Sequence, residues 1–528
     1  MVAGVELNYN TNANAMQMAN TIFGDGVTVT GASYTGASGS SATYSGGDSI
    51  SPGVTPGDTG VILSTGNAAS FTRNGWQSNA SGQTSTNTSG PNGDSDFNSI
   101  AGTSTYDASF LTVDFIPDAD TMTMQFVFSS DEYPEYANSI YNDVVGVWIN
   151  GTHVPLSVTG GPTAVGGVND TDNENLYNDN TGDQFNTEMD GFTVTMTLTI
   201  PVIPGEVNSI KIGIADVADS NYDSNLLIAG DSLQTELVAL DDNVTMMEGT
   251  TKTVDVLDND INNSGGSLTI THINGVAVSA GDSVTLATGQ TVTLNADGTF
   301  AITTDTDNDT ISFTYEVEAT DGSGATLETD VGFVTVETIP CFVAGTLIET
   351  VDGPRAIETL EVGDLVLTRD SGPQPLRWIG RRTVDAVGAL APIHIRANTL
   401  GQHDALMLSP QHRVLVRDAV AELLFGEIEV LVKAKDLIND HSIRRIGGGE
   451  VEYVHILFDD HQVVWSAGLE TESFLPGPHV LSSFEQEIVA EITSIFPEID
   501  PVTGQGYGPS VRPMLKTHEA RALLRRVA

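Results

Sequence analysis

The chain has 528 residues, enough for about three or four domains, and 39% of them are hydrophobic, so a packed core is available and wholesale disorder is excluded. The formal charge is −50; of 20 basic residues only Arg73, Lys211 and Lys252 precede Cys341, and the other 17 come after it. The nearly unopposed carboxylates of residues 1–340 argue against nucleic acid or an anionic membrane as partner. They fit either Ca²⁺ as counter-cation or a surface that simply keeps the chain soluble.

Cys341 is the single cysteine, so no internal disulfide is possible. No apolar run is long enough to span a bilayer. Met1 to Gly24 has neither a basic n-region nor an apolar h-region, so export is expected by a route other than a Sec-type signal peptide. Residues 1–238 alternate polar and apolar positions over Phe110–Phe115, Thr121–Phe128, Val144–Ile149, Phe192–Ile200 and Ser209–Ile214. Turn-rich segments separate these runs, which predicts a β-sandwich with long loops. The stretch Thr159–Gly191, rich in Asn, Asp and Gly, is predicted as a functional or disordered loop.

Residues 239–338 predict a second sandwich. Its short strands are Lys252–Val256, Ser267–Ile273, Ser283–Leu286, Thr291–Leu294, Thr299–Thr303, Ile311–Ala319 and Glu328–Glu337, with a hairpin turn at Asn295-Ala-Asp-Gly298. At Ile339-Pro340-Cys341 Arg appears, Leu and Val increase and loops shorten, which marks a domain boundary. Residues 339–475 form the next unit, and 476–528 a C-terminal extension with helical spacing at Phe484–Phe496 and His518–Val527.

A lone cysteine is most often a small buried hydrophobe. The residues after Cys341 point elsewhere. The segment reads Cys341-Phe-Val-Ala-Gly-Thr346-Leu-Ile348, turns at Asp352-Gly353, and continues through Ile357-Glu-x-Leu360 and Gly363-Asp364-x-Val366. Later come Leu408-Ser409-Pro410-Gln411-His412, then Tyr453-Val-His455-Ile456, His461, Gly468 and Glu472-Ser473. These blocks resemble the Hint domain, the fold shared by the Hedgehog autoprocessing domain and inteins. Ser409-x-x-His412 stands where that family carries Thr-x-x-His.

The resemblance implies that Cys341 attacks the neighbouring Pro340 carbonyl and moves the acyl group from nitrogen to sulfur. The thiolate is the nucleophile, and closing a five-membered ring makes the attack intramolecular. His412 is then the expected proton donor to the leaving nitrogen, and Ser409 is expected near the scissile carbonyl. His455 and His461 are candidates for activating the nucleophile that resolves the thioester; each is equally readable as a structural polar residue. Asp364 is a further candidate for the site, although Gly-Asp at a strand entry is more often a turn. Glu472-Ser473 replaces the His-Asn of splicing inteins, so release or transfer to water, a thiol, an alcohol or a protein amine is expected instead of splicing. The process is self-acting, without turnover, and needs no cofactor.

The N-terminal region resembles the bacterial choice-of-anchor L domain. The residues that carry this are Gly60-Val-Ile-Leu-Ser64-Thr-Gly66, Phe126-Val-Phe128-Ser-Ser-Asp131-Glu132-Tyr133-Pro134-Glu135-Tyr136, Asn142-Asp143 and Asp216-x-x-Asp219-Ser-x-Tyr222-Asp223. Residues 239–338 are similar to a bacterial immunoglobulin- or cadherin-like repeat, through Val256-Leu-Asp258-Asn-Asp260 and Asn295-Ala-Asp297-Gly298. Two carboxylate clusters, Asp131, Glu132, Glu135 and Asp143, and Asp216, Asp219 and Asp223, are candidate Ca²⁺ ligands; Asp258 and Asp260 are a third candidate pair. Solvated turns are the alternative.

The expected architecture is therefore all-β and multidomain: a β-sandwich, an immunoglobulin-like sandwich and a horseshoe-like Hint β-fold with short C-terminal helices. The expected setting is the cell surface or extracellular space of a bacterium, with a surface or matrix ligand. Two functions remain open at this point: self-cleavage at Pro340–Cys341, or a calcium-dependent adhesive protein with an inert Hint fold.

Overall fold

The structure is a computed structural model and describes residues 2–137, 139–246, 251–304, 311–338, 341–386, 391–439, 441–475, 496, 507–515 and 517–524. Pro340 and the Phe484–Phe496 segment, except Phe496 itself, lie outside the described residues, as do residues 525–527 of the last predicted helix. The chain divides into two compact units, one of residues 1–242, 253–301 and 311–335, the other of residues 243–252, 302–310 and 336–528.

The N-terminal sandwich in the first unit is built from two antiparallel sheets. One has the order Asn8–Asn10, Ser41–Ser45, Thr59–Ser64, Ser224–Ala229, Thr121–Ser130, Gly191–Thr193 and Tyr177–Asp179, with Met196–Pro201 also on Thr121–Ser130. The other has the order Val27–Thr35, Thr105–Pro117, Asn208–Val217, Val144–Ile149 and Thr152–His153, with Thr163–Ala164 also on Val144–Ile149. Leu111, Val113, Phe115, Phe126, Ile212 and Leu226, all 0% exposed, fill the space between them. Each such side chain contributes roughly 1.5–3 kcal/mol of burial free energy.

The predicted strand Phe192–Ile200 is broken in two. The Val194 amide donates to the Leu176 carbonyl (2.8 Å) and leaves the ladder there. The predicted loop 159–191 is packed in place by its own amides: Asn180 donates to the Thr187 and Met189 carbonyls at 3.1 and 2.9 Å. A helix not anticipated, Ala15–Ile22, opens on a reciprocal cap between Asn14 and Gln17 and buries Met18, Ala19 and Ile22.

Within the same unit, the immunoglobulin-like strands Ser267–Ile273 and Ile311–Thr320 pair antiparallel, as do Ser283–Thr285 and Thr291–Leu294. This region is not strung on a flexible linker. Fully buried Asp330 accepts from Thr123 Oγ1 (3.0 Å) and the Ala239 amide (2.8 Å), and Phe333 belongs to the N-terminal core.

The second unit holds the residues from Cys341 onward in two antiparallel sheets. The six-stranded sheet has the order Trp378–Asp385, Glu450–Leu457, Phe342–Val343, Leu406–Leu408, Ile393–Ile395 and Ile443–Arg445. The eight-stranded sheet runs through Gly353–Ala356, Leu347–Thr350, Leu365–Thr368, Val463–Ser466, Leu469–Glu472, Arg413–Arg417 and Glu429–Lys433, with Gly372–Pro375 on Leu365–Thr368. The apolar residues of the sequence blocks, Ile348, Ile357, Leu360 and Val366, are all 0% exposed and form its core. The tight turns between them need positive φ, which Gly353 (99°) and Gly363 (96°) supply. Asp364 serves its turn: its Oδ2 accepts from the Glu361 amide and pairs with Arg355 Nη1 at 2.7 Å. The described part of the last helix, Thr517–Leu524, packs Ala520 and Leu523 onto this core.

Candidate functional site

Strand register brings the reactive residues together. Phe342 is paired with Leu408 on one side and with Val454 on the other. Continued one residue outward, those antiparallel registers place Cys341 opposite both Ser409 and His455. The contacts agree. The Cys341 amide donates to Ser409 Oγ (2.7 Å), the Ser409 amide donates to the Cys341 carbonyl (2.9 Å), and Cys341 Sγ lies 3.3 Å from His455 Nε2. Ser409 thus sits on the nitrogen of the bond that precedes Cys341.

His412 comes from the turn after that strand. Its amide donates to the Ser409 carbonyl (3.1 Å), and its ring stacks at 4.1 Å, tilted, on Phe342. The ring is buried, and burial first, with the electrostatic influence of His455 and Arg413 next, pushes its pKa down to about 3. Backbone groups of Cys341 and Glu472 face the ring and partly oppose that fall. They do so without hydrogen bonds of full geometry. His412 is therefore neutral near pH 7.

His455 stands in an aromatic wall, with Trp378 at 6.5 Å and Phe474 edge-on at 5.6 Å. His461 is placed differently. Its Nε2 donates to the Ser473 carbonyl (3.1 Å) and its Nδ1 accepts from the Val511 amide (3.2 Å). Burial lowers its pKa to about 4. Sequence spacing treats the two histidines alike; only the first reaches the thiol. Glu472 stands out in the sequence only as part of the Glu472-Ser473 pair. In the fold it is 1% exposed and binds the Arg413 amide (2.9 Å) through Oε1.

The acidic residues of the first unit lie in a different setting. Asp131 accepts from the Thr84 and Asp190 amides, Glu132 from the Asp143 amide, and Asp143 from the Val217 amide and Ser224 Oγ. Burial raises Asp131 to about 8 and Glu132 to about 9, and lifts Asp143 and Asp216 well above the carboxylate range. Asp143 and Asp216 lie close enough for each to perturb the other's ionisation, so the two sequence clusters meet in the fold. Asp223 Oδ1 accepts from the Thr86 amide (2.6 Å). Glu135 and Asp258 are exposed, and Asp219 caps its own turn through the Asn221 amide. Asp260 Oδ1 accepts from the Leu240 amide and the Tyr315 hydroxyl, and burial raises its pKa to about 6. Among the described residues no three acidic, histidine or cysteine side chains come together as ligands for one metal ion.

Three family models match the chain in succession: a choice-of-anchor L domain over residues 6–234, a bacterial Ig domain over 234–336, and a Hint domain over 340–478. The chain thus carries a C-terminal Hint domain preceded by an immunoglobulin-like and a choice-of-anchor L domain, and it is all-β in class. The Hint domain provides a general capacity for autoprocessing. Among solved structures, the chain is similar to the MchDnaB-1 intein (12% identity over 25% of this chain and 98% of that chain, TM-score 0.19). It is also similar to the gp41-1 intein (13% identity over 25% and 97%, TM-score 0.17). A comparison with curated proteins finds no match. No described helix is long and apolar enough to cross a membrane.

Proposed function

We propose that Cys341 cleaves the chain from its own N-terminal part by an N-to-S acyl shift at Pro340–Cys341. The observation that carries this reading is the double grip on Cys341: thiol 3.3 Å from His455 Nε2, amide on Ser409 Oγ at 2.7 Å. His455 takes the thiol proton and the thiolate attacks the Pro340 carbonyl carbon. The C–S bond forms, the tetrahedral intermediate collapses, and the C–N bond breaks. The nitrogen must leave as an amine. The proton that His455 took from the thiol passes to that nitrogen, with Ser409, already hydrogen-bonded to it, and neutral His412 as relays. The shift is thus an isomerisation that needs no outside proton, metal or oxidant.

The thioester is then resolved by water or by an external thiol, alcohol or amine, which releases or conjugates residues 1–340. The choice-of-anchor L match supports a surface or secreted setting for that portion. The test is intact mass with and without a small thiol, beside Cys341→Ala. The wild type is expected to give fragments meeting at Pro340/Cys341 and, with thiol, an adduct on the N-terminal piece. A wild-type chain that stays whole under all conditions would overturn the reading.

A further inference from the structure

His412 and His455 belong to different sheets. His412 directly precedes the strand Arg413–Arg417 of the eight-stranded sheet, whereas His455 lies within Glu450–Leu457 of the six-stranded one. The strand Phe342–Val343 links them on the Cys341 side, where Phe342 stacks on the His412 ring and pairs with Val454 beside His455. A second short segment also touches the surroundings of both.

Strand Leu469–Glu472 pairs with Arg413–Arg417 through Val414 and Thr471. Its last residue, Glu472, reaches back to the peptide that leaves His412: Oε1 accepts from the Arg413 amide (2.9 Å) and lies 3.3 Å from Arg413 Nη1. Ser473 is buried; its carbonyl accepts from His461 and its Oγ from the Gln462 amide (3.0 Å). The Phe474 amide then donates to the Ile456 carbonyl (3.0 Å), beside His455, and its ring meets the His455 ring edge-on. Three consecutive residues therefore hold the backbone behind one imidazole and the face of the other.

We infer that Glu472-Ser473-Phe474 is a strut that fixes the distance and orientation of His412 and His455 about Cys341. Glu472 and Phe474 are positioning residues that act through the two histidines. The inference rests on the proposed self-processing. A displacement of a reacting group by about 1 Å can cost on the order of 100-fold in rate, so the strut governs rate more than stability.

The test uses the full chain in two backgrounds. In the otherwise wild-type chain, cleavage is followed from pH 5 to 9 for Phe474→Ala, Phe474→Leu, Glu472→Gln and Glu472→Ala. Phe474→Ala is expected to slow cleavage by about tenfold or more, with most of the rate restored by Leu, which refills the wall. Glu472→Gln keeps an acceptor for the Arg413 amide but leaves the Arg413 charge unopposed beside His412. It is expected to slow cleavage less than Glu472→Ala, which removes the acceptor and lowers the rate at every pH. In Cys341→Ala, which keeps the chain whole, histidine ring NMR is expected to report shifted His455 resonances with Phe474→Ala and shifted His412 resonances with Glu472→Gln. Rates within twofold of wild type with unchanged profiles would overturn the strut. If the wild type itself does not cleave, the self-processing reading fails instead. Unchanged ring resonances in Cys341→Ala would then still overturn the strut.

Discussion

Both units bury groups that water would charge, carboxylates in the first and chiefly histidines in the second, so their shifts run in opposite directions, with buried Glu472 of the Hint unit as the exception. In the sandwich of the first unit, Asp131, Glu132, Asp143 and Asp216 are buried and their pKa values rise, so the fold favours bound protons. In the Hint unit, His412 and His461 are buried and theirs fall, so the fold favours lost protons. Only one setting has chemistry within reach. The carboxylates face backbone amides and one another, whereas the imidazole of His455 faces a thiol one residue from the bond it would break. Perturbed ionisation thus marks burial in both regions but a candidate reaction centre in one, because a reaction also needs a nucleophile held against its target.

The largest expected effect separates the two regions outright. Cys341→Ala abolishes cleavage, while Asp216→Asn leaves the cleavage rate within twofold, both read by gel or mass. Next, His412→Ala and His455→Ala each lower the rate by about 10²–10⁴-fold, the usual loss when a proton-transfer group is removed. Ser409→Ala costs less, about tenfold, in keeping with one hydrogen bond to the nitrogen, and Ser409→Thr restores it because the hydroxyl returns.

The smallest effects concern stability, and their signs differ. Asp131 and Glu132 have folded pKa values, about 8 and 9, above the ordinary carboxylate range, so the folded state holds more protons between those limits. Their stabilisation is full in acid and is lost as pH rises from about 4 through 8 to 9. His461 is depressed to about 4, so the unfolded chain binds the extra proton between there and about 6.5. Its contribution is full above about 6.5 and is lost as pH falls toward 4. Calorimetry of Cys341→Ala should therefore show the transition of the first unit moving down, and that of the Hint unit moving up, as pH rises from 5 to 7. Repeating it with calcium sharpens the comparison. If calcium removes the pH dependence of the first unit, its carboxylates serve a cation; if not, protons satisfy them.

The grouping of Cys341, Ser409 and His412 was legible because they sit at strand ends in compact blocks: Cys341 before Phe342, and Ser409 and His412 around one turn. Which of His455 and His461 lies beside Cys341 was not legible. It depends on register, and a residue six positions further along lies past the end of the strand and a turn. Strand Thr59–Ser64 escaped the alternation pattern because Gly60 to Ser64 are all buried, leaving no polar face. The approach of Asp143 to Asp216 was likewise hidden, since the pairing of Val144–Ile149 with Asn208–Val217 brings residues more than seventy positions apart side by side. Helix Ala15–Ile22, by contrast, left a readable signal in Asn14-x-x-Gln17 followed by Met18, Ala19 and Ile22.

The most direct test of self-cleavage is the intact mass of freshly purified full chain incubated with a small thiol near pH 7, beside Cys341→Ala. The expected result is an N-terminal fragment ending at Pro340 with the thiol attached, a second fragment beginning at Cys341, and an unbroken Cys341→Ala chain. An unbroken wild-type chain, or cleavage that persists in Cys341→Ala, would contradict it.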